Sequence, residues 1–168
     1  EGVVMKICID IFSLENRGDW LMFSAILEEV RKRVPKALVA VPYRAYSLNR
    51  LYYKKLSVLP VHRVRGWKVA FRAKIEEIAA LLGRRRHRIY DREIDLVLFS
   101  PGFKYSDQIT YRTAEADEQE IKMWKGYSKK GRRIVFMPQA FGPFENEINR
   151  IHMNRLCGMV THFYARED

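Results

Sequence analysis

A chain of 168 residues, 48% of them hydrophobic and 30% charged, is long enough for one domain with a real core and too short for two ordinary ones. The 31 lysines and arginines outnumber 20 acidic residues, leaving +11, and no stretch reaches the roughly 18 to 20 continuous apolar residues of a membrane-spanning helix. Cys8 and Cys157 are too far apart to form a ligand motif, so they suit a reduced cytosolic chain and no metal is expected.

In chain order, residues 3–12 (VVMKICIDIF) read as a strand rich in Val and Ile. A polar turn follows, then a helix from Asp19 with Phe23, Ile26, Leu27, Val30 and Val34 at helical spacing, ended by Pro35. Residues 37–41 form a second strand, stopped by Pro42, so the unit predicts a right-handed parallel crossover. Ser47 is placed to cap a helix carrying Leu48, Leu51 and Tyr52. Residues 57–61 read as a strand that Pro60 assigns to an edge. A stronger helix covers 67–82, with Phe71, Ile75, Ile78, Ala79 and Leu82 on one face and Gly83 as its stop.

Residues 95–99 are a buried strand broken by Ser100-Pro101-Gly102. Thr113 caps a helix through Ile121 and Trp124 that Gly131 ends. The apolar run from Ile134 breaks at Pro138, Gly142 and Pro143, which marks a parallel strand feeding a loop at its carboxyl end. A helix over 145–159 turns Ile148, Ile151 and Leu156 inward, and 160–165 is the last strand. Five or six strands alternating with helices predict an α/β, Rossmann-like, mostly parallel sheet with helices on both faces.

Ligands bind at the carboxyl edge of such a sheet, so the loops there hold the candidate residues. In the Asn16-Arg17-Gly18-Asp19 loop, Gly18 permits a tight turn and the new helix offers free N–H groups to an anion; the alternative role for Asp19 is the helix N-cap. Gly102 permits close approach to the second loop, with Tyr105 and Asp107 nearby. Gln139 stands at a strand exit with both donors and an acceptor, and Gly142 follows it. Asp10, near the end of the first strand, needs partners and is placed to orient the Asn16 loop. The four histidines show no metal-ligand spacing.

Basic residues concentrate in 61–92, a patch that attracts polyanions such as acidic lipid headgroups, phosphorylated substrates or nucleic acid, the alternative being a solvated helix face with its flanking loop. Peripheral contact with an anionic membrane is the expected use. The patch lacks the aromatic interleaving of a nucleic-acid module, so nucleic acid is not an expected partner.

Asn16-x-Gly18-Asp19, Asp95-x-Val97 with its glycine turn, Pro138-Gln-x-Phe-Gly-Pro-Phe144 and the terminal Ala165-Arg166-Glu167 together resemble the polysaccharide pyruvyl transferase family. Two positions depart from its pattern: Ser100-Pro101-Gly102 replaces a run of glycines, and Ala140 takes a place often held by serine. The resemblance implies the amino-terminal half of a GT-B-like two-domain enzyme, so a carboxyl-terminal domain is expected beyond residue 168. It implies transfer of a pyruvyl group from phosphoenolpyruvate, the donor substrate, to a sugar or lipid-linked glycan, forming a ketal of a surface or extracellular polysaccharide in the cell envelope. No cofactor is implied. Asn16, Gly18, Asp19, Gly102, Gln139 and Gly142 are expected to line the acceptor side, with Arg166 and Glu167 near the domain junction. The expected location is the cytoplasm, at the inner membrane surface. Two alternatives are a nucleotide-sugar glycosyltransferase half and a non-enzymatic, polyanion-binding Rossmann-like module.

Overall fold

The structure, a computed structural model, describes residues 4–11, 14, 16–63, 67–83, 86–100, 107, 113–128, 131–139 and 142–165. Seven strands form one sheet: β1 Lys6–Asp10, β2 Leu38–Pro42, β3 Leu59–His62, β4 Ile89–Tyr90, β5 Leu96–Phe99, β6 Arg133–Gln139 and β7 His162–Ala165. Their order is β4-β3-β2-β1-β5-β6-β7, and every pairing is parallel. The chain therefore winds outward from β1 in one direction and from β5 in the other. This is the Rossmann-like α/β arrangement expected from the alternation of elements.

Side chains alternate across the sheet with the strand period of two. Ile7, Ile9, Val39, Val41 and Leu98 pack on one face against Phe23, Ile26, Leu27 and Val30 of helix α1 (Arg17–Arg33). Ala45 of α2 (Tyr43–Leu48) and Tyr53 of α3 (Arg50–Lys55) complete that layer. Cys8, Ala40, Val97, Phe99, Ile134 and Phe136 point to the other face. There they meet Ile121 and Trp124 of α5 (Ala114–Ser128) and Met153 and Leu156 of α6 (Glu147–Cys157). Trp124 is fully buried, with its ring centroid 4.8 Å from Phe99 and 5.3 Å from Phe136.

Several expectations are corrected. The cap of α1 is Asn16, not Asp19, because the Asn16 side chain accepts from the Gly18 N–H. Ser47 caps no helix; it lies inside α2, and Asn49 separates α2 from α3. Strand β3 is not an edge strand, since the two-residue β4 pairs beside it. That pairing involves only Val61 and His62, so Pro60, which lacks an N–H, lies before it begins. In α6 the buried residues are His152, Met153 and Leu156, while Ile148 and Ile151 are exposed. Pro138 lies within β6, at a register irregularity between Phe136 and Gln139, a place where a missing ladder donor is tolerated.

Candidate functional site

With all strands parallel, the carboxyl ends of β1, β5 and β6 lie side by side on one rim. Asp10 ends β1, Phe99 ends β5 and Gln139 ends β6. Because β5 alone separates β1 from β6, the Asn16 and Gln139 loops leave the sheet about 10 Å apart, two strand spacings. The winding reverses between β1 and β5, the position where doubly wound sheets open a crevice. Backbone joins the two strand exits there: the Ser100 N–H donates to the Asp10 carbonyl at 3.0 Å.

The loop after β1 is shaped by its cap. The Asn16 Oδ1 accepts the Gly18 N–H at 2.8 Å, and the Trp20 N–H reaches the Asn16 carbonyl at 3.1 Å. A Cβ on Gly18 would stand 3.3 Å from Asn16 Oδ1, which accounts for a glycine so close to the cap. Asp19, in the first turn of α1, is partly buried, and that burial raises its carboxyl above the ordinary aspartate range. It is thus a carboxylate that holds a proton more readily than most.

The loops after β5 and β6 are tied together by Asp107. Its carboxylate accepts the Asn146 N–H at 2.9 Å, the Glu145 N–H and the Asn149 side-chain amide. Its own N–H donates to the Pro143 carbonyl at 3.0 Å. The Asn149 hydrogen bond and then the Asn146 N–H are the main forces holding the Asp107 carboxyl below its usual range. Asp107 therefore serves the rim as a brace at the amino end of α6, where a negative charge also meets the positive helix terminus. Gly142 adopts φ +87° before a cis bond to Pro143, so its identity follows from a backbone conformation that residues with a Cβ avoid. Gly102, Tyr105, Arg166 and Glu167 lie outside the described residues.

Beside this rim is a cavity of about 530 Å³ at the carboxyl ends of β1, β2 and β3, lined among others by Asp10, Tyr43, Arg44, His62, Arg63 and Tyr127. Burial and then the Arg88 charge lower the His62 pKa, so the imidazole is neutral at neutral pH. Burial raises the Tyr127 hydroxyl, which stays protonated. The cavity thus combines two guanidinium groups, a carboxylate, a neutral imidazole and phenolic hydroxyls, a set suited to a polyhydroxylated or anionic ligand. Asp10 was legible in the sequence because it interrupts an apolar run. The other five were not, because they come from separate segments with no spacing motif.

A second polar cluster is buried between α5 and α6. Asp117, Glu120 and His152 bring one ligand atom each within 4.8 Å of one another. Glu120 accepts from the Trp124 indole at 3.2 Å and lies 3.3 Å from His152 Nε2. His152 Nδ1 is 3.8 Å from Asp117 Oδ2. Sequence spacing gave no sign of this cluster, since it depends on which face of α6 turns inward.

A family model described as polysaccharide pyruvyl transferase matches residues 16–168. The chain belongs to the polysaccharide pyruvyl transferase family. No curated protein and no solved structure matches it. The match begins at Asn16, the cap of the first rim loop, and includes every later strand exit that forms the rim. Membership in a polysaccharide pyruvyl transferase family makes the protein transferase-like and its acceptor a glycan.

Proposed function

We propose that this protein takes part in moving the pyruvyl group of phosphoenolpyruvate onto a sugar of a surface or extracellular polysaccharide. One acceptor hydroxyl adds to C2 of the enol phosphate while C3 takes a proton and becomes a methyl group. A second hydroxyl then displaces phosphate at C2, closing the ketal, and its proton leaves with the phosphate. The reaction needs an acceptor held with two hydroxyls aimed at one carbon, a group to accept a proton, and exclusion of water.

The observation that carries the reading is the convergence of the Asn16 and Gln139 loops on one rim, beside the cavity holding Asp10, Arg44 and Arg63. In this reading Asn16, Gly18, Asp19, Gln139 and Gly142 serve the acceptor side, as does Gly102. Asp19, a partly buried carboxyl with a raised pKa, is assigned the role of taking a hydroxyl proton. Arg166 and Glu167 belong to the junction with a second, donor-binding domain that closes the cleft. A domain supplying one wall leaves the donor open to water, so this chain alone is expected to turn over nothing measurable.

Phosphate release from phosphoenolpyruvate in the presence of glycan acceptors tests the reading. The two-domain protein should release phosphate only with an acceptor present. Arg63→Ala should lower kcat/KM by about 10- to 100-fold, the loss of one charge-assisted contact. Consumption of a nucleotide sugar with no dependence on phosphoenolpyruvate would replace this reading with a glycosyltransferase one.

A further inference from the structure

Helix α4 (Trp67–Leu81) carries its apolar face outward. Trp67, Phe71, Ile75, Ile78 and, in the turn after it, Leu82 are all between 50% and 80% exposed. At 3.6 residues per turn these five positions fall within an arc of about 80°. On the opposite side of the helix Ala73 is buried. A contiguous stripe of this size on a single helix is not the scattered surface apolar content of an ordinary soluble domain.

Charge is arranged around the stripe. Lys74 falls about 20° beyond one margin and Lys68 about 20° beyond the other, with Arg72 further on the same side; all three are exposed. The Lys68 ammonium lies 5.8 Å from the Trp67 ring centroid. Glu76 is turned away from the stripe, to Arg72 and Arg88 at 3.2 and 3.3 Å. Across residues 61–92, ten lysines and arginines face three carboxylates.

We propose that α4 is an interfacial helix that seats the protein on an anionic lipid surface. The stripe enters the headgroup–acyl boundary, Trp67 sits at its aromatic-favouring depth, and the flanking cations meet lipid phosphates. No described helix is long and apolar enough to cross a membrane, so the helix lies in the plane of the surface. A second copy fits this face less well. An isologous contact would gather the Lys68, Arg72 and Lys74 cations of both copies along one seam, whereas anionic headgroups neutralise them. Helix α4 follows β3 and starts at the carboxyl end of the sheet, so docking brings the candidate rim near the lipid surface. The inference does not depend on pyruvyl transfer.

Flotation of the purified protein with phosphatidylcholine vesicles, with and without phosphatidylglycerol, is the test. The protein should float with phosphatidylglycerol-containing vesicles, and raised salt should release it. Tryptophan emission should shift to the blue on binding, and Trp67→Phe should remove that shift while leaving binding in place. The double substitution Phe71→Gln/Ile75→Gln should weaken binding at least about tenfold with an unchanged melting curve. If that variant unfolds, Lys68→Glu, at an exposed position, carries the test with the same sign. Equal binding by wild type and variants, or no flotation of the wild type, overturns the proposal. So does a dimer in sedimentation that Phe71→Gln/Ile75→Gln converts to monomer without any vesicle binding.

Discussion

Asn16 caps α1 at the rim, and the proposed function gives it a second purpose there. Its oxygen satisfies the Gly18 N–H at the start of α1, and the proposed function adds a contact between its amide and the acceptor. Replacing it with alanine removes a cap, and stability should fall by about 1 kcal/mol in denaturant unfolding. Asn16→Asp keeps a capping oxygen and should recover that loss. If the amide also touches the acceptor, Asn16→Asp will still have a raised KM in the pyruvyl transfer assay, and a purely structural residue will not. The residue types in this loop were readable in the sequence, but the division of labour was not. Asp19 and Asn16 are both good caps, and only the backbone geometry assigned the role to Asn16.

At the scale of elements, the loops after β5 and β6 behave as one unit because Asp107 bridges them. Asp107→Ala should release the Glu145 and Asn146 amides, which will then exchange hydrogen faster and identify the bridge by its position. The pH dependence follows from a carboxyl pKa held below its unfolded value. The bridge contributes fully above the ordinary aspartate pKa of about 3.9 and is lost as pH falls through the lower folded value. Elsewhere the sequence showed which faces are apolar without showing what covers them. The stripe of α4 reads like a core face by periodicity, yet it points outward. The apolar pair Ile148 and Ile151 suggested one rotation for α6, but burial of His152 beside Glu120 and Asp117 selected another. A buried histidine is tolerated there because carboxylates and a tryptophan indole form a connected network around it. Strand β4 escaped notice because two residues carry no period.

Across the whole molecule, the two halves of the sheet are joined by the short crossover from β4 to β5, and Glu93 anchors it. The Glu93 carboxylate accepts the Tyr90 N–H at 2.9 Å and the Arg86 guanidinium at 2.8 Å, with the Lys6 ammonium of β1 at 3.4 Å. Burial alone would raise its pKa, but the Tyr90 and Arg86 hydrogen bonds with the Arg86 and Lys6 charges prevail and lower it. Glu93 and Arg86 are largely buried, so Glu93→Gln leaves a guanidinium without its counter-charge. Stability at neutral pH should drop by about 3 kcal/mol, measured by denaturant unfolding. In the wild type this contribution is present above the unfolded glutamate pKa of about 4.3 and disappears as pH falls through the depressed folded value. The variant should therefore show a flatter acid limb.

The sequence by itself determined the fold class, most of the element order and the family. Those depend on local signals: apolar runs of strand length, helical spacing, and Pro and Gly at strand exits. Tertiary structure alone decided which face of α4 and α6 is covered, that β3 is an inner strand, and which side chains line the cavity at β1, β2 and β3. Periodicity reports that a face is apolar, but burial depends on the neighbour that arrives from elsewhere in the chain. Contacts such as Asp10 with Ser100, or Asp107 with Asn146, join residues far apart in sequence, and only the parallel winding of the sheet brings them together.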